Sequence, residues 1–239
     1  MTVAGLLFDK DGTLFDFQAT WGAFAEGLIA EEAAGDSHLA ARMAEVLGFD
    51  RAALKFRPGS IVIAETTETV ARALAPILPD RPDPERLAER MNARSARVPQ
   101  VPVTPLLPLF RRLAASGLAL GVATNDSEAA ARRHVGDHGL SDLMAFVAGY
   151  DSGHGAKPGP GPCLAFARAA GLDPGRIAMI GDSLHDLEAG RAAGMVTVGV
   201  LTGPAEAATL EPHADIVLGS IAELPAWLGL PKATPDGRN

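Results

Sequence analysis

The chain has 239 residues, 47% of them hydrophobic, and a formal net charge of −8. That length can bury a substantial core, and the acidic balance excludes a general nucleic-acid binder, which needs a basic face. The single cysteine, Cys163, excludes an intrachain disulfide and points to a reducing compartment.

No apolar stretch reaches the roughly 18–20 residues that a membrane helix requires. The N-terminal apolar run lacks a basic start and is interrupted by Asp9 and Asp11, so no signal peptide is expected. A cytoplasmic protein is anticipated, monomeric or homodimeric, with no membrane or nucleic-acid partner.

The first apolar run, VAGLLF (3–8), suits a strand buried on both faces. It ends in DKDGTL (9–14), where two acids flank a lysine. The next interval, about 16–100, holds no convincing buried strand. Its alanine-rich amphipathic stretches at 20–34, 37–48, 60–76 and 84–97 predict helices, separated by turns at Gly35–Asp36, Arg57–Pro58–Gly59 and Pro79–Asp83. A proline-rich exit, VPQVPVTP (98–105), reads as a hinge linker.

Beyond it, Thr104 and Pro105 predict an N-cap and a first helical residue, with Gly117 closing the helix. Strand-like runs follow at 118–124, 144–149, 176–182, 196–201 and 214–219. Helix-like segments at 127–139, 163–171 and 187–194 lie between the first four of these. The last residues, KATPDGRN, read as a frayed tail. Strands alternating with helices at these spacings predict a doubly wound, parallel-sheet α/β core, Rossmann-like, with an inserted α-helical domain. The expected division is core 1–15 and 101–239, insert 16–100.

In open α/β sheets ligands bind beyond the carboxyl ends of the strands. That rule gathers Asp9 and Asp11, Thr124 and Asn125, Lys157, and Asp182 with Asp186. Hard carboxylate oxygens suit Mg²⁺, and a lysine with short polar donors suits a phosphoryl group. Each piece has a plainer reading. A DG pair is commonly a turn, GDS with Asp186 is a capped helix start, and Lys157 before Pro158 is a solvated loop charge.

The series DKDGTL, TN, KPGP and GDSLHD…AGM, in that order and spacing, resembles the haloacid dehalogenase superfamily of phosphohydrolases. The helical insert resembles the cap domain of its phosphoglycolate phosphatase-like branch. The resemblance implies that Asp9 is the nucleophile forming an aspartyl-phosphate and Asp11 the general acid and base. It implies Asp9, the backbone carbonyl of Asp11, Asp182 and Asp186 around Mg²⁺, with Thr124, Asn125 and Lys157 on the phosphoryl oxygens. Lys157 would keep Asp9 ionised. His185, within GDSLHD, is not needed as a base if Asp11 does that work.

The second acid separates this chain from dehalogenases proper, from phosphonate-cleaving relatives with alanine there, and from ion pumps with DKTGT. A small phosphomonoester is expected, with 2-phosphoglycolate foremost. A phosphomutase of the β-phosphoglucomutase kind, another sugar-phosphate, nucleotide or pyrophosphate phosphatase, and a non-catalytic phosphometabolite sensor are the other readings. In the insert, Arg51, Lys55 and Arg57 form a basic cluster in an acidic chain. Lys55 and Arg57 are candidates for gripping a substrate carboxylate, against a solvated helix face. Trp21 and Phe24 are candidates for the seam between insert and core, against ordinary packing. Because side chains alternate along a strand, Lys10 is expected to face away from the acids on either side. Its ammonium would reach solvent or an acid behind the sheet, leaving the pair to be screened by Mg²⁺ and Lys157.

Overall fold

The computed structural model describes residues 3–231. The expected frayed tail, 232–239, lies outside the described residues. Six strands form one parallel sheet: β1 (Gly5–Phe8), β4 (Ala119–Ala123), β5 (Phe146–Ala148), β6 (Ile177–Gly181), β7 (Val196–Val200) and β8 (Ile216–Leu218). Their order is β5-β4-β1-β6-β7-β8, so the chain winds outward on both sides of β1. Strands sandwiched between helices bury both faces, which is why each is an apolar run rather than an alternation.

Side-chain parity sorts the two layers. Leu6 and Phe8 pack with Phe110 and Leu113 of α5 (Leu106–Ala115) and Val135 of α6 (Glu128–Asp137). Leu7 and Met179 pack on the opposite face with Phe166 of α7 (Gly161–Ala170) and Ala189 of α8 (Leu184–Ala192). The start of α5 differs from expectation by one residue. Pro105 occupies the N-cap with ψ 96°, not the first helical position, and Thr104 lies outside the helix.

The insert contains α1 (Phe17–Ala33), α2 (Ser37–Leu47), α3 (Thr67–Leu74) and α4 (Pro84–Ser95). Asp16, Asp36, Thr66 and Asp83 cap them through side-chain oxygens, each accepting a backbone N–H that the helix leaves unpaired. These helices bury their own cluster around Ile29, Met43, Leu47, Leu74 and Leu87. The expected helix over 60–76 is shortened, because 60–66 runs as turns before Thr66 caps α3. A two-residue hairpin, β2 (Phe49–Asp50) with β3 (Lys55–Phe56), was not expected. Strands that short carry no periodicity.

The expected hinge is tied to the chain's way in: Val103 N–H donates to Leu14 O (3.0 Å), and Asp16 N–H to Val101 O (2.8 Å). The two crossings therefore run side by side, next to DKDGTL. Among the described residues, no helix is long and apolar enough to cross a membrane.

Candidate active site

Asp9 leaves the end of β1, anchored by its N–H to Ile180 O (2.8 Å). Asp182 leaves β6 next to it, and Asp186 lies one turn into α8. One oxygen from each of these three carboxylates falls within 4.8 Å of the others, and all three residues are buried. Lys157 Nζ reaches into the group, 2.6 Å from Asp9 Oδ1 and 2.5 Å from Asp186 Oδ1. Asp186 also accepts from Ser183 N–H (3.1 Å) and Ser183 Oγ–H (2.7 Å), closing a capping box on α8. It is thus both a helix cap and a member of the acidic cluster. Thr13 Oγ–H donates to Asp182 Oδ1 (3.2 Å). Gly12, at φ +88°, allows the close approach. A Cβ there would stand 2.3 Å from Asp182 Oδ2.

Three buried carboxylates share one lysine, and the electrostatics reflect it. Burial pushes Asp9 up to about 7, against the pull of Lys157 and with help from Asp186 and Asp11. Asp182 is pushed well above the usual carboxylate range, again by burial first and then by Asp9 and Asp186. Lys157 is held above the ordinary lysine value because Asp186 and Asp9 outweigh its own desolvation. Lys157 lowers Asp9 but does not by itself offset its burial. An oxygen-only cluster with negative charge in excess fits a hard divalent cation, which would return these carboxyls to their ionised range.

Asn125 lies at the cluster but turns its amide to the protein. Its Nδ2 donates to Lys157 O and Ala64 O (2.8 Å each), and its Oδ1 accepts from Lys157 N–H (2.9 Å). Expected on the phosphoryl oxygens, it instead fixes the loop that delivers Lys157. Thr124 is buried at the end of β4, its hydroxyl accepting from Asp126 N–H (3.1 Å). His185 faces Ala64 O at 3.1 Å through Nδ1, so the carbonyl of Ala64 in the insert meets two core side chains.

Lys10 meets its expectation in one part, reaching an acid behind the sheet in Asp126, and departs from it in another, pairing with Asp11 as well. It is 0% exposed and does not reach solvent. Its Nζ lies 2.6 Å from Asp11 Oδ2 and 3.1 Å from Asp126 Oδ2, donates to His134 Nδ1 (3.3 Å), and stands 5.3 Å over the Trp21 ring. It does leave β1 on the α6 side, as parity requires, but its ammonium curls back to Asp11. The acids are consequently divided between two lysines: Lys157 serves Asp9, and Lys10 serves Asp11. Asp11 is also held from the insert, where Trp21 Nε1–H donates to its Oδ1 (2.8 Å). Trp21 thus stands at the seam between insert and core, the place for which it was a candidate, and does more there than pack. Its only signal in the sequence is proximity to DKDGT.

A cavity walled by residues of both core and insert opens over the cluster. A cleft closed in on two sides in this way suits a small molecule as occupant. Lys55 and Arg57 do not line it. Both are exposed on the outside of the insert, Arg57 paired with Glu45 (2.8 Å), and nearby Arg51 paired with Glu26 (2.5 Å). Their expected grip on a substrate carboxylate is not formed. They belong to the solvated face.

A family model described as haloacid dehalogenase-like hydrolase matches residues 3–194. The phosphoglycolate phosphatase of Salmonella paratyphi A is 30% identical over 248 residues, covering 96% of this chain and 94% of that protein. That of Rhodospirillum rubrum is 34% identical over 128 residues, covering 54% of this chain and 53% of its own length, so the chain matches about half of it. Among solved structures, a haloacid dehalogenase family hydrolase from Deinococcus radiodurans R1, with bound phosphate and sodium, superposes with TM-score 0.63. It is 26% identical, covering 97% of this chain and 99% of that one. The chain belongs to the haloacid dehalogenase-like hydrolase family, and within it is similar to the phosphoglycolate phosphatases.

Proposed function

We propose that the protein is a Mg²⁺-dependent phosphatase that hydrolyses a small phosphomonoester through an aspartyl-phosphate on Asp9. The observation that carries this reading is the convergence of Asp9, Asp182, Asp186 and Lys157 at the strand ends, with Asp11 held beside them. Asp9, the backbone carbonyl of Asp11, Asp182 and Asp186 would hold the ion. When bound, it supplies positive charge to the phosphoryl oxygens and to the carboxylates.

A carboxylate oxygen of Asp9 attacks phosphorus in line with the leaving oxygen, and the bond from phosphorus to the alcohol breaks. Asp11 gives its proton to that oxygen, and the alcohol departs. Asp11 then takes a proton from water, whose oxygen attacks phosphorus. The bond to Asp9 breaks, releasing inorganic phosphate and restoring the free carboxylate. Lys157 and Thr124 hold phosphoryl oxygens, while Asn125 keeps Lys157 in place.

The helices of residues 16–100 serve as a cap over the core of 1–15 and 101–239, excluding water and bulky esters. The names of the relatives make 2-phosphoglycolate the reference compound for comparison, and the single buried cysteine supports a cytoplasmic setting. The test is phosphate release with Mg²⁺ over a panel of small phosphomonoesters that includes 2-phosphoglycolate. Release that depends on Mg²⁺ and ceases with chelator is expected. A folded protein inert towards the whole panel overturns the reading and returns the chain to a phosphometabolite sensor.

A further inference from the structure

The cavity over the acidic cluster has two chemically different ends. The core end holds the carboxylates and Lys157. The insert end is walled by hydrocarbon and aromatic side chains, among them Phe17, Trp21, Phe24, Leu28, Val62 and Met91. They come from α1, from the turn at 60–66 and from α4, so the apolar wall is continuous across the insert.

We infer that the alcohol of the substrate is apolar: the protein takes a phosphomonoester with an aromatic or branched-alkyl leaving group and no second anionic group. The inference rests on the phosphatase reading and names the substrate class for that site.

Three observations carry it. First, the only charged side chain that the insert places at the cavity, among the described residues, is Glu65, exposed at the mouth. Its sign repels a carboxylate. Second, Arg51, Lys55 and Arg57 of the insert are exposed and outside the lining, the two arginines each paired with a glutamate. Third, the side-chain N–H donors of Trp21, Asn125 and His185 that line the cavity are committed, which leaves neutral hydroxyls such as that of Thr67. Trp21 Nε1–H is given to Asp11, and Asn125 Nδ2 and His185 Nδ1 to the carbonyl of Ala64. A substrate carboxylate would shed water there without gaining a cation, whereas a hydrocarbon body would lose nothing and remove apolar wall from water. Lys157 stands at the core end with Asp9 and Asp186, where it serves the phosphoryl group and not the leaving group.

Benzyl phosphate and 2-phosphoglycolate, both esters of primary alcohols, discriminate the two chemistries. Initial rates of phosphate release are measured for the full chain with Mg²⁺. Benzyl phosphate is expected to have the higher kcat/KM by about tenfold or more, the scale on which pockets sort groups that fit from groups that do not. Val62→Arg is expected to narrow that ratio by supplying the missing cation. Glu65→Gln, at an exposed position where folding is not at risk, is expected to raise kcat/KM for 2-phosphoglycolate relative to benzyl phosphate. Equal or better turnover of 2-phosphoglycolate by the unaltered protein overturns the inference and leaves the phosphatase reading standing. So does a ratio that neither variant moves. Inactivity towards both esters and towards p-nitrophenyl phosphate overturns both.

Discussion

Replacing Lys10 by methionine tests whether the buried ammonium holds the acid/base in place. Methionine keeps most of the volume, so the packing change is small. The electrostatic change is not. Lys10 is wholly buried, with carboxylate oxygens of Asp11 and Asp126 at 2.6 and 3.1 Å and His134 Nδ1 at 3.3 Å. Removing one partner of a buried pair costs about 3–5 kcal/mol, because the remaining charge stays buried without a countercharge. For a chain of this size each kcal/mol moves Tm by about 2–4 °C, so a fall of about 6–20 °C is expected in a thermal melt followed by circular dichroism.

Asp126, whose carboxyl burial already pushes up, is the group left most exposed to this loss. Adding Asp126→Asn to Lys10→Met should therefore restore at least about 1 kcal/mol. In steady-state assays kcat should fall while KM holds, since Asp11 loses the partner that orients it. A destabilisation below about 1 kcal/mol, the scale of a surface ion pair, would falsify this reasoning and mean that the ammonium is hydrated after all.

Asp9→Asn should abolish phosphate release with the melt nearly unchanged; turnover like that of the parent would remove Asp9 as nucleophile. Asp11→Asn should lower kcat by about 10²-fold or more, the usual worth of a general acid or base, and an effect confined to KM would contradict that role. Lys55→Ala and Arg57→Ala should leave kcat/KM for 2-phosphoglycolate and for an aryl phosphate equally unaffected. A selective rise in KM for the carboxylated ester would bring them back to the site.

His134, buried beside Lys10, is pushed down to about 4 from 6.5 by burial and by that lysine. Its folded form binds fewer protons than the unfolded chain between those values. It therefore contributes about 3 kcal/mol that is present above pH 6.5 and lost as pH falls towards 4. Denaturant melts from pH 7.5 to 4.5 should show a steeper loss for the parent than for His134→Gln. Parallel slopes would refute the assignment.

The core was legible because its physics is local. Strands covered on both faces must be apolar throughout, so β1, β4, β5, β6, β7 and β8 stand out as runs, each trimmed by a residue or two at its ends. Most helix starts were marked nearby: Asp36, Asp83 and Ser127 each precede a helix and accept its free amides. The turn at 60–66 and the hairpin of β2 and β3 were not legible. Their shape is imposed by contacts such as Ser60 Oγ–H to Leu47 O (2.5 Å) and the Gln18 side chain on the backbone of Phe56.

The sequence by itself determined the parallel sheet and the acids, hydroxyl, amide and lysine that lie at the strand ends. Strand order in a doubly wound sheet brings such residues together whatever the insert does. Only the tertiary structure decided how the charges are shared. Parity sends Lys10 behind the sheet, but Asp126 and His134, more than a hundred residues away in the chain, close that side to water. A long buried ammonium must then find carboxylates within reach, and Asp11 is one of them. Tertiary structure likewise turned Lys55 and Arg57 outward and put a hydrocarbon wall over the cluster, because the insert buries its apolar faces and leaves its cations to water.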